Sequence, residues 1–193
     1  MLYERYPELQ DCKQEIEKAL ALLIETYRNG GKVLVCGNGG SAADSEHIVG
    51  ELLKGFLSKR PATDERIPKE LRAQLQGSLP AISLPSQCAI LTAYCNDVSP
   101  EMMYAQLVYG YGKEGDVLIA MSTSGNAANV AKAAEVANCI GMKTIALTGA
   151  KDSKLSALAT VTVQVPETET YKVQELHLPV YHYLCAETEK EFF

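Results

Sequence analysis

The chain has only three histidines, His47, His177 and His182. His47 stands four residues before Glu51, so the two share one face of any helix that contains them. An imidazole and a carboxylate one turn apart can ligate a divalent metal or act as an acid–base pair. On spacing alone they are equally well an ordinary helical pair. His182 lies in a second segment with Gln174, Glu175 and His177. On a helix, Gln174, Leu178 and His182 fall on one broad face, while Glu175 and His177 point elsewhere. That all three histidines occupy these two segments favours a shared site.

Two other stretches suit an anion. Gly37-Asn38-Gly39-Gly40-Ser41-Ala42 fits a loose GxGxx[GA] pattern, in which glycines let the backbone approach a ligand and helix N–H groups point at it. A dinucleotide site also wants an acidic residue about 20 residues on, at the end of a second strand. Here that stretch is Lys54-Gly55-Phe56-Leu57-Ser58, which has no acid, and this counts against a nicotinamide or flavin enzyme. Ser122-Thr123-Ser124-Gly125-Asn126 sets three hydroxyls in a row before a helix start, where an N-cap needs only one. Neither loop holds a Lys or Arg, so a phosphate would rest on N–H and O–H groups.

The elements that position these groups follow from hydrophobic periodicity. Leu9, Cys12, Ile16, Leu20, Leu23 and Tyr27 form one stripe on a predicted N-terminal helix, stopped by Gly30 and Gly31. Apolar runs predict strands at 33–36, 81–84, 116–121, 144–147 and 161–165. Helices are expected at 42–54, 86–95, 100–109, 127–139, 153–159 and 171–189. Strands that are apolar throughout and alternate with helices argue for an α/β fold: a five-stranded parallel sheet flanked by helices on both faces. The predicted organisation is one domain over 1–193, with an N-terminal helix in 1–31. Segment 58–79, with Pro61, Pro68 and mixed charges, reads as an excursion, a lid or an interface element.

Composition removes other classes. Of 193 residues 47% are hydrophobic and 22% charged, which fits a folded globular chain. Acidic residues outnumber basic ones 24 to 18, for a net charge of −6, and no basic stripe invites a nucleic-acid backbone. No apolar run is long enough to span a bilayer, and residues 1–10 lack the apolar core of a signal peptide. The six cysteines show no CxxC spacing and read as reduced, small core residues, which points to a cytoplasmic location.

Val33-Leu34-Val35-Cys36-Gly37-Asn38-Gly39-Gly40-Ser41 with Asp44, His47 and Glu51, the Ser122–Asn126 loop, and Val173-Gln174-Glu175-Leu176-His177 with His182 together resemble the phosphoheptose isomerases. These proteins have a sugar isomerase (SIS) domain. The resemblance covers nearly the whole chain, with the motifs in order. It implies a homotetramer with active sites between subunits, converting sedoheptulose 7-phosphate to D-glycero-D-manno-heptose 7-phosphate on the way to lipopolysaccharide and other surface glycans. By position it implies a zinc or other divalent metal site at His47, Glu51, Gln174 and His182, one per subunit. It implies a phosphate site at Ser41, Ser122, Thr123 and Ser124, and sugar contacts at Asn38, Gly39, Gly40, Asn96 and Asp97. Two departures stand out: Ala127 replaces a Ser common just after the second loop, and Lys172 an Arg common two residues before Gln174. The 58–79 excursion is also longer than in typical members.

Moving a carbonyl from C2 to C1 takes a proton off one carbon and returns one to the other through an enediol. Glu51 is the candidate base and His182 the candidate acid; both also belong to the metal set, and the sequence does not choose between these roles. The competing reading is a non-catalytic phosphosugar-binding or partner-binding SIS protein.

Overall fold

A computed structural model describes residues 2–193. The strands are β1 (Val33–Cys36), β2 (Ala81–Ser83), β3 (Val117–Met121), β4 (Lys143–Thr148) and β5 (Val161–Gln164). They form one sheet in the order β2-β1-β3-β4-β5, every pair parallel. All positions of β1 and β3 are buried, as expected for strands covered on both faces.

The helices are α1 (Leu2–Arg5), α2 (Lys13–Arg28), α3 (Gly40–Leu53), α4 (Lys69–Arg72), α5 (Cys88–Asp97), α6 (Met103–Tyr111), α7 (Ala128–Cys139), α8 (Lys154–Leu158) and α9 (Thr170–Phe192). Strand side chains alternate between two cores. Val33, Val35, Ile119 and Ile145 pack with α2, α3 and α9. Leu34, Cys36, Leu118 and Ala146 pack with α6, α7 and α8 on the other face. The predicted two-faced α/β architecture is what the chain adopts.

Three local readings change. The N-terminal helix predicted as one piece is two: Pro7–Cys12 is a 3₁₀ helix, and the α-helix begins at Lys13 after Cys12 leaves helical geometry (φ −108°, ψ 17°). The stripe survives the break, since Leu9, Cys12, Ile16, Leu23 and Tyr27 are all buried. The Pro100 helix likewise starts as a 3₁₀ turn, Pro100–Met102, before α6. The cysteines divide: all six are free, but Cys88 and Cys139 are exposed and only Cys12, Cys36 and Cys185 are buried core residues. Burial pushes the Cys12 thiol up to about 11 and those of Cys36 and Cys185 to about 12, which keeps them protonated.

The 58–79 excursion has a structural anchor. Arg60, 1% exposed, places Nε 2.8 Å from Glu189 Oε1 of α9. Its guanidinium donates to the carbonyl oxygens of Glu51 (2.5 Å), Leu52 (3.1 Å) and Lys54, the end of α3. A fixed cation there satisfies carbonyls that α3 leaves unpaired and complements its dipole. Glu189 in turn accepts from the N–H groups of Phe56, Leu57 and Ser58. Burial opposes its charge, but those donors and Arg60 outweigh burial and hold the carboxyl below its usual range. Beyond Arg60, an antiparallel bridge between Pro61 and Gln76 closes the excursion back on itself.

Candidate active site

β1 sits between β2 and β3, and the connections that leave β1 and β3 go to opposite faces, into α3 and α7. This is the topological switch point, where parallel α/β sheets open a crevice at the carboxyl ends of their strands. A cleft of about 350 Å³ lies there. Asn38, Gly39, Gly40 and Ser41 line one wall, Ser122, Thr123, Ser124 and Ala127 a second, and Thr170 and Gln174 of α9 the third.

No charged side chain lines the cleft. Its polarity comes from helix ends. α3, α7 and α9 all begin at its walls, and in none does the N-cap side chain bond the first N–H groups, although Asn129 Oδ1 accepts from the Val130 N–H in α7. Their N-cap residues are Gly39, Ala127 and Glu169; by contrast α8 carries a full capping box at Ser153 and Ser156. The N–H groups of Ser41 and Ala42 already bond the Asn38 and Gly39 carbonyls, but three helix N-termini at one cleft still bring three positive dipole ends, which suit an anion without any Lys or Arg. The hydroxyls of Ser122, Thr123 and Ser124 are not spent on capping α7 either.

Backbone freedom and close packing set the cleft walls. Gly39 has φ +57° and ψ −121°, where a side chain is strained. A Cβ on Gly40 would come within 2.8 Å of Gln174 Nε2, so a side chain there would push the Gln174 amide out of its place in the cleft. Tyr104 reaches from α6 to donate to the Gly37 carbonyl at 2.7 Å. Asn38 and Asn129 exchange reciprocal amide hydrogen bonds of 2.8 and 3.0 Å, tying the first loop to α7. Sequence reasoning did not single out Tyr104, Asn129 or Thr170; only their positions across the switch point reveal them. Ala127 does face the cleft, so this chain lacks a hydroxyl there, while Thr170 brings one on the opposite wall. Lys172 pairs with Glu169 at 2.6 Å and lines a different depression.

Further along the same two helices lie the titratable groups. His47 Nε2 is 3.2 Å from Glu51 Oε1 and 3.4 Å from His182 Nε2. The imidazoles meet edge to face at 4.9 Å, and Phe56 packs on His182 at 5.5 Å. Burial lowers the pKa of His182, and the nearby His47 lowers it further, so its ring is neutral at lower pH than a free histidine. Lys54 Nζ approaches Glu51 Oε2 at 3.3 Å. Tyr181 Oη lies 3.0 Å from Asp44 Oδ1 and 3.1 Å from His47 Nδ1. His177 faces the opposite way, as its spacing predicted: it is fully buried, with Nε2 3.3 Å from the Thr148 carbonyl oxygen.

The structure therefore brings His47, Glu51 and His182 together, and separately Asn38 to Ser41 with Ser122 to Ser124. Gln174 joins the cleft group, its amide against Gly40. Asn96 and Asp97 lie at the end of α5, exposed and bonded to each other at 2.7 Å, outside the cleft lining. Among the described residues no group of three or more His, Cys, Asp or Glu side chains is placed, as it stands, to hold a metal ion. The arrangement is open and centred on His47 Nε2. Its donors, two imidazole nitrogens and a carboxylate oxygen, are those zinc prefers. Two of the pairs, at 3.2 and 3.4 Å, stand near the roughly 3.3 Å that separates ligands of one tetrahedral zinc, so the donor set suits such an ion once the side chains close around it.

The family model for the SIS domain matches residues 6–149. The phosphoheptose isomerase of Rhodospirillum rubrum is 39% identical over 181 residues, covering 94% of this chain and 88% of its own. The chain belongs to the phosphoheptose isomerase family. Its fold agrees: the solved structure of phosphoheptose isomerase from Neisseria gonorrhoeae superposes with a TM-score of 0.75 at 33% identity, covering 98% of this chain and 100% of that one. The phosphoheptose isomerase from Francisella tularensis superposes at 0.79 and 31%, covering 92% and 86%. The family model stops at Gly149, before α9, whereas the matches to these relatives span nearly the whole chain.

Proposed function

We propose that the chain isomerises sedoheptulose 7-phosphate to D-glycero-D-manno-heptose 7-phosphate. The observation that carries this is the juxtaposition of an uncharged, N–H-rich cleft with the His47–Glu51–His182 cluster on the same two helices. Gly40 and His47 are seven residues apart, about 10 Å along α3. An extended carbon chain advances about 1.2 Å per bond, so seven bonds from C2 to phosphorus span about 8 Å. One substrate of that length can rest its phosphate in the cleft and its carbonyl at the cluster.

In this reading Ser41, Ser122, Thr123 and Ser124 hold the phosphate, and Asn38, Gly39 and Gly40 meet sugar hydroxyls. Glu51 takes the proton from C1 and returns it at C2, while His182 carries the proton between O1 and O2. His47, Glu51 and His182 would hold a zinc or other divalent ion, one per subunit, with Gln174 as the further ligand, and Glu51 and His182 would act on protons only while detached from it. Such an ion, when bound, stabilises negative charge on the enediolate oxygens. The assembly is a homotetramer in the cytoplasm. In support, α5 has no buried residue although its sequence is CAILTAYCND; Leu91 packs partly against the core, while Ile90 is exposed and available to another subunit. Asn96 and Asp97 at its end would then serve a site shared between subunits. No described helix is long and apolar enough to cross a membrane.

The test is turnover of sedoheptulose 7-phosphate beside fructose 6-phosphate, with and without a chelator. Turnover of the heptose that a chelator abolishes and zinc restores is expected. Binding of both sugars without turnover would overturn the isomerase reading. Sedimentation velocity checks the tetramer.

A further inference from the structure

Tyr181 and Asp44 form a hydrogen-bonded chain behind His47 to which the proposed reaction assigns no part. The phenol has a single proton. An ionised carboxylate only accepts, so the hydroxyl 3.0 Å from Asp44 Oδ1 donates there. Its oxygen then faces His47 Nδ1, 3.1 Å away, as an acceptor. That nitrogen must carry the hydrogen, which leaves the Nε2 of a neutral ring with its lone pair free. Nε2 is the atom that faces Glu51 and His182.

The opposite tautomer has its own attraction. A carboxylate facing Nε2 accepts a hydrogen from it, so Glu51 alone favours Nε2–H, in which Nε2 has no lone pair for a metal or a proton. A phenol oxygen polarised by a carboxylate behind it is a stronger acceptor than a phenol alone, and it pulls the proton to the other nitrogen. Packing supports the same geometry. The Tyr181 side chain is almost fully buried, and its ring meets His47 edge to face at 5.5 Å.

We propose that Asp44 and Tyr181 are positioning residues that hold His47 in the Nδ1–H tautomer, so that Nε2 presents its lone pair to a divalent ion in the His47–Glu51–His182 cluster. This rests on the metal-dependent isomerase reading, but its readout does not require turnover. A partner that orients a ligating imidazole from behind typically changes metal affinity 10- to 100-fold.

The test uses the full chain labelled with ¹⁵N, above pH 8, before and after chelation. With three histidines in the sequence, long-range ¹H–¹⁵N spectra assign each ring, and a His177→Gln variant removes one set of peaks. The wild type is expected to show His47 with hydrogen on Nδ1. Tyr181→Phe, which keeps the ring and its packing, is expected to shift His47 toward Nε2–H and to weaken zinc binding 10- to 100-fold in a titration with zinc alone. Asp44→Asn is expected to move both readouts the same way by less, and it carries the test if Tyr181→Phe does not fold. Wild-type His47 found as Nε2–H, or a tautomer and zinc affinity indifferent to both substitutions, overturns the proposal. If the tautomer and zinc affinity respond as expected but no sugar phosphate is turned over, the positioning role stands and the isomerase reading falls. If turnover is found and the tautomer does not respond, the reverse holds.

Discussion

The two ends of the α3–α9 seam work by different physics. At the cleft end there is no charged side chain, and the field comes from three helix N-termini with the hydroxyls of Ser122, Thr123 and Ser124. About 10 Å along α3, the cluster end holds two imidazoles and a carboxylate in contact, backed by Tyr181 and Asp44. A phosphate keeps its charge through the reaction, so fixed dipoles that need no rearrangement serve it. An enediolate gains and loses charge, so it needs groups that can take and release protons. In the proposed function this difference would let a chain with a net charge of −6 grip a phosphate: the charge sum speaks against a polyanion partner but does not bear on a dipolar cradle for one group.

This contrast can be broken by substitution. Glu51→Gln touches only the cluster end and is expected to lower kcat roughly 10²- to 10⁴-fold with the assembly unchanged by sedimentation; near-normal turnover would remove Glu51 as the base. Arg60→Met tests what supports that end from below. It strands the buried Glu189 carboxylate and frees the carbonyls at the end of α3, so a loss of about 3–5 kcal/mol in urea unfolding is expected.

His177 tests the buried side of α9. Burial lowers its pKa to about 4, with the Thr148 contact opposing. Between pH 6.5 and 4 the unfolded chain binds a proton there that the folded chain refuses, so stability falls as pH drops through that window. The loss at pH 4 from this group is about 3 kcal/mol, and none is expected above pH 6.5. His177→Gln should flatten that part of the curve, as read by urea titrations at pH 7 and pH 4.5. Ser124→Ala is the smallest change. Removing one charge-assisted donor from the cleft should raise KM roughly tenfold while kcat stays within a few-fold. The reverse split, a loss in kcat at constant KM, would mean that the cleft takes part in the chemistry rather than the grip.

Much of this molecule is legible in the sequence because it is local. The five strands are short apolar runs, and their predicted bounds differ from the observed ones by a residue or so. His47 and Glu51 share a helix face by spacing alone, and the spacing of His177 puts it off the face of α9 that carries Gln174 and His182. Where reading failed, the cause was also physical. A 3₁₀ helix and an α-helix bury residues at nearly the same spacing, so the stripe from Leu9 to Tyr27 hid the break at Cys12. Cys88 and Cys139 sit among apolar residues yet are exposed: Cys88 opens α5, which buries no residue, and Cys139 ends α7.

The sequence by itself determined the elements, the two glycine- and hydroxyl-bearing loops, and the residue types of the cluster, since hydrogen-bond periodicity and turn chemistry act over a few residues. Only the tertiary structure decided the order β2-β1-β3-β4-β5, which opens the crevice between the two loops and gathers three helix ends around it. It alone set His182 against His47 across 135 residues, Tyr181 against Asp44 across 137, and Glu189 against Phe56 across 133. Contacts at such separations are fixed by how the helices dock on the sheet, and no local pattern encodes which side chains then meet.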